Sequence, residues 1–127
     1  MPLYGRAYAN VQSTTNGLNA PYQGLAFGPR EQGLRAFYEF PVYNPQTGQA
    51  TGGLLNEGFV RYWDDQAKVP YLFNNATKVF INYEDTQSLL IKTDYVKSKG
   101  LAGVMFWELD WQVWDTLNAV KNRLITN

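Results

Sequence analysis

Between Ala102 and Trp107 the chain reads Ala-Gly-Val-Met-Phe-Trp, nearly all apolar and without alternation. A short run of this kind is the pattern of a strand covered on both faces in a parallel sheet. It stands between two helical patterns. In the first, Asp85 or Thr86 caps the start, Gly100 ends it in a left-handed conformation, and Leu89, Leu90, Tyr95 and Val96 form the apolar side. Lys92, Lys97 and Lys99 gather towards its C-terminal half, where the helix dipole favours cations. In the second, roughly Trp111 to Ile125, Val113, Leu117, Val120 and Leu124 fall at helical spacing, with Asp110 as its expected cap. Helix, buried strand, helix is a piece of an α/β architecture. Such a strand needs parallel neighbours, and the rest of the sequence does not obviously supply them.

The middle of the chain follows another rule. Leu34 to Val42 alternates, with Leu34, Ala36, Tyr38, Phe40 and Val42 on one face. Tyr43 to Gly48 is a turn, and Leu54 to Asn56 fits a short helical turn. Gly58 to Asp64, Val69 to Phe73 and Lys78 to Tyr83 read as three strands of an antiparallel meander, joined by turns at Asp65–Lys68 and Asn74–Ala76. Ala9 to Arg30, rich in Gly, Asn, Gln, Thr and Pro, reads as an irregular loop.

Composition removes whole classes of chemistry. The 127 residues include no cysteine and no histidine, so disulfides, Ser-His-Asp or Cys-His catalysis and histidine-ligated zinc are excluded. Eleven basic residues balance eleven acidic ones, and no basic stripe argues for nucleic acid. No apolar run has the length of a membrane span, and Met1 to Arg6 does not have the form of a signal peptide. Four Trp, nine Tyr and seven Phe fit either a core of large side chains or a surface that stacks on the apolar faces of sugar rings. Asn75-Ala76-Thr77 is a glycosylation sequon and is only permissive.

Four blocks, in this order and spacing, resemble glycoside hydrolase family 18 chitinases. They are Met1-Pro2-Leu3-Tyr4-Gly5-Arg6-Ala7-Tyr8; Gly33-Leu34-Arg35-Ala36-Phe37-Tyr38-Glu39; Trp63 to Tyr71 followed by Phe80 to Asp85; and Tyr95 to Leu109. The resemblance implies an α+β chain: a chitinase insertion domain, an antiparallel sheet with a short helix, joined to the C-terminal piece of a (β/α)8 TIM barrel. Residues 1–10 would end barrel strand seven, residues 11–84 would be the insertion domain, and residues 85–127 would be helix seven, strand eight and helix eight. The family's D-x-x-D-x-D-x-E signature, which carries the glutamic acid that protonates the leaving group, is absent from the sequence, as is its Met-x-Tyr-Asp block.

The resemblance also implies the chemistry. In substrate-assisted retaining hydrolysis, the acetamide oxygen of an N-acetylglucosamine unit attacks its own anomeric carbon. Trp107 would be the floor under the reacting sugar. Tyr4 and Arg6 would hydrogen-bond the sugar chain, with Gly5 letting the backbone pass closely. Glu39 would stand on the cleft wall, taking sugar hydroxyls or pairing with Arg6. Each also has a plain reading: a core tryptophan, a packed tyrosine, a surface arginine, a solvated carboxylate. Glu108 and Asp110 are not a catalytic pair, since alternation sets Glu108 opposite Trp107. No catalytic residue, metal ligand or cofactor is expected here. The implied partner is chitin or chitooligosaccharides, in a secreted setting, with self-association through the unpaired barrel strand. The alternatives are a non-catalytic chitin-binding lectin and a structural module.

Overall fold

The computed structural model describes residues 1–109 and 114–126. Its centre is an antiparallel sheet of five strands: β1 (Tyr4–Tyr8), β2 (Leu34–Ala36), β5 (Val60–Asp64), β6 (Val69–Asn74) and β7 (Val79–Asn82), in the order β2-β1-β7-β6-β5. A separate hairpin pairs β3 (Val42–Asn44) with β4 (Gln49–Thr51). The helices are α1 (Thr86–Ser98) and α2 (Trp114–Ile125). The meander read from the sequence is β5, β6 and β7, with Tyr62 facing Tyr71 and Leu72 facing Ile81.

Three hairpin turns share one device. Asn44, Asp64 and Asn74 each accept two backbone N–H groups from the next residues through a side-chain oxygen. The residue four positions on, Gly48, Lys68 or Lys78, then takes a positive φ of 71°, 58° or 55°. The side chain closes the turn and the left-handed residue restores the strand direction.

The sheet buries one face. Ala7, Leu72, Ile81 and Tyr83 pack there with Phe40, Leu54 and Ala26, and Leu72 and Ile81 have no exposed surface. Gly5 belongs to this face because a Cβ would stand 2.5 Å from the Phe40 ring and 2.6 Å from the Asn82 carbonyl oxygen.

Two sequence expectations change. Leu34–Val42 is not one strand: β2 ends at Ala36, and Phe37–Glu39 forms a 3₁₀ turn. Glu39 turns back to accept the Ala36 N–H at 2.7 Å, and the Phe40 N–H bonds the Phe37 carbonyl. This local closure outcompetes a longer strand. Phe40 is therefore buried, whereas Tyr38 and Val42, expected on the same face, are exposed. The short helical turn expected at Leu54–Asn56 is a 3₁₀ turn over Gly53–Glu57.

The second correction concerns Ala102–Trp107. It is extended but forms no regular strand, and its one bridge is parallel, Pro2 to Trp107. The Leu3 N–H reaches the Trp107 carbonyl at 2.7 Å, and the Trp107 N–H reaches the Met1 carbonyl at 3.1 Å. Val104 and Phe106 pack with Leu3, Leu89 and Val120 against the helices, whereas Met105 and Trp107 point outward at 66% and 65% exposure. Among the described residues one face is covered, by the helices, and Met1–Leu3 alone pairs along an edge of the segment. The chain bends at Leu3, so residues 1–3 serve the parallel pairing and Tyr4–Tyr8 serves the antiparallel sheet.

Asp85 caps α1 as read from the sequence. It accepts the Ser88 N–H, and the Ser88 hydroxyl accepts the Asp85 N–H. Gly100 follows the helix at φ 62°. Asp110, Trp111 and Val113 lie outside the described residues.

Candidate functional site

Alternation along β1 sends Gly5 and Ala7 into the core and sets Tyr4 and Arg6 on the opposite face. There the Arg6 guanidinium lies over the Tyr4 ring, 5.7 Å from its centroid. Tyr4 and Arg6 border an open groove of about 330 Å³ with Pro2, Val69, Asn82, Tyr83 and Glu84. Asn82 is the cross-strand partner of Arg6, and its side-chain oxygen accepts the Arg6 N–H at 3.1 Å. Trp107 stands at the Pro2 end, held by the parallel bridge, with its indole largely open. The Trp107–Glu108 peptide is cis.

Tyr4 also borders a smaller cleft of about 140 Å³, lined with Pro29, Arg30, Leu34, Arg35, Ala36 and Glu108 among others. Arg30 crosses it to Glu108 at 3.2 Å, tying the 26–33 loop to the residue after Trp107.

Tyr4 and Arg6 thus share a groove, and Trp107 lies outside its lining, tied to it by the backbone bridge to Pro2. Glu39 is not with them. It pairs with Arg35 at 2.8 Å rather than with Arg6, and each side chain is about 15% exposed. Its other oxygen holds the Ala36 N–H, directly across the sheet from Tyr4. The expected pairing with Arg6 falls instead to Glu31, at 3.7 Å.

The carboxylates bordering the two clefts are already engaged by cations. Glu84 is buried, accepts the Ser88 hydroxyl at 2.6 Å and is paired with Lys92; Glu108 is paired with Arg30. Rings, guanidinium groups and an amide have the chemistry to contact a polar ligand with apolar faces. Arg30, Arg35 and Asn82 escaped sequence reasoning as cleft residues, because their positions depend on strand register and on the fold of a glycine-rich loop. The one usable signal was Asn82, two residues from Phe80 in a strand already recognised.

Behind the groove, Arg61 of β5 joins the sheet to α1. It donates twice to Asp85, at 2.7 and 3.0 Å, and once to Gln87 at 2.8 Å, with its plane near Tyr43 and Trp63. Tyr83 stacks on Phe40 at 4.5 Å, and its buried hydroxyl has no hydrogen-bond partner.

The antiparallel sheet thus meets a single parallel bridge and two helices, with aromatic and arginine side chains near the junction. The family model described as Glycosyl hydrolases family 18 matches residues 1–111, and the chain belongs to that family. It is similar to Chitinase A1 of Niallia circulans, 41% identical over 98% of this chain and 16% of that protein. Against Chitinase ChiA of Flavobacterium johnsoniae, identity is 45% over 65% of this chain and 5% of the relative. Among solved structures, chitinase ChiW from Paenibacillus sp. superposes with a TM-score of 0.75 at 34% identity, covering 99% of this chain and 13% of that one. The Ostrinia furnacalis Group IV chitinase shares the fold, with a TM-score of 0.78 at 23% identity over 99% of this chain and 34% of that one. The fold is therefore the insertion domain with a C-terminal piece of the barrel, and the chain spans only a small part of these relatives' lengths.

Proposed function

We propose that the chain is the substrate-gripping wall of a chitin-hydrolysing enzyme and that the proton donor for cleavage comes from outside these residues. The observation that carries this reading is the shared groove of Tyr4 and Arg6, with the exposed Trp107 bridged to Pro2 in its lining. Trp107 offers a flat ring to the apolar face of an N-acetylglucosamine unit. Arg6, Tyr4 and Asn82 offer hydrogen bonds to its hydroxyl and acetamide oxygens. Holding the sugar this way orients its acetamide for attack on its own anomeric carbon, the step on which substrate-assisted retention depends. Glu39 acts behind the groove through Arg35 and Ala36. Residues 1–3 serve as the strand end, residues 11–84 with Tyr4–Tyr8 in their sheet as the insertion domain, and residues 85–127 as barrel closure. Relatives named as chitinases support chitin as the polymer, and a relative described as cell-surface-expressed supports an extracellular setting.

Each net hydrogen bond contributes about 1 kcal/mol, so a few contacts give a dissociation constant of about millimolar or weaker. An NMR titration with chitotetraose is the test. Shifts at Tyr4, Arg6 and Asn82 that vanish in Trp107→Ala are the expected result; binding untouched by Trp107→Ala would place the site elsewhere. The chain alone should release no product from a fluorogenic chitobioside.

A further inference from the structure

Another cavity, of about 260 Å³, lies where the β3–β4 hairpin meets the first turns of both helices. Tyr38, Pro41 and Tyr43 line it from the hairpin side, and Thr86, Asp115 and Thr116 from the helix starts. It shares no lining residue with the groove or the smaller cleft. The chain between β7 and α1 divides them: Tyr83 and Glu84 border the groove, whereas Asp85 and Thr86 border this cavity. Both walls are fixed. The buried Thr86 and Thr116 hydroxyls bond each other at 3.0 Å and lock the two helix starts together. The Arg61 guanidinium lies over the Tyr43 ring at 4.8 Å and is itself held by Asp85 and Gln87. The Asn44 side chain closes the turn just beyond Tyr43. A ligand entering here would meet walls that need no ordering.

The charge of this lining is opposite to that of the other two sites. The groove has Arg6 and the smaller cleft has Arg30 and Arg35, whereas the charged residues lining this cavity are Asp85 and Asp115. Asp85 is already spent, since Arg61 holds one of its oxygens and the Ser88 N–H the other. Asp115 is exposed and takes part in none of the ion pairs among the described residues. Its place in the first turn of α2 suits the helix dipole, but the half-exposed Tyr38 ring across the cavity has no part in that. A carboxylate facing aromatic and proline rings suits a small apolar-faced ring that carries an ammonium group. The volume is below the range of about 300–1,000 Å³ that drug-sized ligands fill, so one ring fits and a chain does not. A pyranose bearing an ammonium is what a unit of chitin becomes when its acetyl group is removed. An acetylated unit would set a neutral amide against Asp115 and forgo the ion pair.

We propose that this cavity binds a single glucosamine unit, with the ammonium on Asp115 and the sugar ring against Tyr38 and Tyr43. The choice of sugar rests on the reading of the chain as part of a chitin-hydrolysing enzyme, and the experiment separates the two. The isotope-labelled chain is titrated by NMR with glucosamine, N-acetylglucosamine and chitotetraose, as wild type, Asp115→Asn and Tyr38→Ala. Glucosamine should shift the amides of Tyr43, Thr86 and Thr116, and N-acetylglucosamine should move them several-fold less. Asp115→Asn should weaken glucosamine binding several-fold and leave the chitotetraose shifts at Tyr4 and Arg6 in place. Tyr38→Ala, at a half-exposed ring, should weaken it as well. Should Asp115→Asn disturb the spectrum beyond α2, added salt makes the same test on wild type, because screening weakens an exposed ion pair. No glucosamine shifts at the cavity, equal shifts with N-acetylglucosamine, or glucosamine binding indifferent to both Asp115→Asn and salt each overturns the proposal. Binding unchanged in Tyr38→Ala overturns the ring contact. Glucosamine at the cavity without chitotetraose shifts at Tyr4 and Arg6 supports this site and removes the groove; the reverse result keeps the groove and overturns this site.

Discussion

The sheet and the C-terminal segment of this chain bury apolar residues in contrasting ways. Strands β1, β7 and β6 each have hydrogen-bonded neighbours on both sides, and Leu72 and Ile81 sit in a core closed by the 3₁₀ turns and Phe40. The segment 101–109 has one parallel bridge and turns Leu101, Met105, Trp107 and Leu109 outward at 54%, 66%, 65% and 63% exposure. Both are strongly apolar in sequence. The difference is that β5, β6 and β7 take partners from adjacent sequence through tight turns and give β1 a ready edge, whereas parallel partners require long crossovers. A meander can complete itself; a barrel strand depends on distant segments.

The joint between the two regions is the place to break this contrast hardest. Asp85 caps α1 and holds Arg61 of β5, with side-chain exposures of 3% and 14%. Removing one partner of a buried pair costs about 3–5 kcal/mol, and losing a helix cap adds about 1 kcal/mol. Asp85→Ala should therefore uncouple α1 from the sheet, read as a broadened, low-midpoint urea transition. Asp85→Asn, which keeps an accepting oxygen for the cap, should fall between it and wild type.

Within each region the contrast can be measured by one truncation apiece. Leu72→Ala should cost about 2–5 kcal/mol, because no part of Leu72 is exposed. Met105→Ala, at an outward position, should stay within about 0.5 kcal/mol. Urea midpoints for the two variants decide it; equal losses would show that the outward row is covered in solution. Sedimentation at several concentrations asks what covers it. The apolar row should drive self-association, and Met105→Lys should shift the chain towards monomer.

The same contrast explains what could be read in advance. The meander was legible because its partners are neighbours and its turns are polar, with Asp65 and Asn74–Asn75; the positive φ of Lys68 and Lys78 was not, because lysine does not announce a left-handed position. Helix α1 was legible from its Asp85 cap and Gly100 end. The break after Ala36 was not, because alternation continues through Tyr38 and Phe40 while Glu39 reaches back to the Ala36 N–H. Nor was the exposure of Met105 and Trp107, since apolar sequence states what a strand would bury, not whether a neighbour is present. At the candidate site, Tyr4 and Arg6 were named through the family resemblance, and both border the groove. The family resemblance set Glu39 on the cleft wall, taking sugar hydroxyls or pairing with Arg6, and geometry pairs it with Arg35, four residues earlier in β2.

The smallest expected effect probes a polar group inside the self-sufficient core. The Tyr83 hydroxyl is buried without a hydrogen-bond partner, so replacing it by hydrogen removes an unsatisfied group and little else. At neutral pH, Tyr83→Phe should be neutral or stabilising by about 1 kcal/mol. The difference grows in alkali. Burial, with the Asp85 charge adding to it, pushes the Tyr83 hydroxyl well above the ordinary tyrosine range; Arg61 nearby pulls the other way without closing a bond. Unfolded, the group titrates at about 10. Above that pH the unfolded chain has released the proton that the folded chain still holds. The folded state then binds more protons, and stability falls as pH rises. The contribution is complete below about pH 10 and lost progressively above it. Melting curves from pH 8 upward should show wild type declining earlier and more steeply than Tyr83→Phe. Some decline should survive in the variant, because burial raises Tyr71 in the same direction, with Tyr62 and Asp64 reinforcing it. Identical alkaline profiles would mean that Tyr83 is hydrated in solution and that the core around Phe40 is more open than its packing indicates.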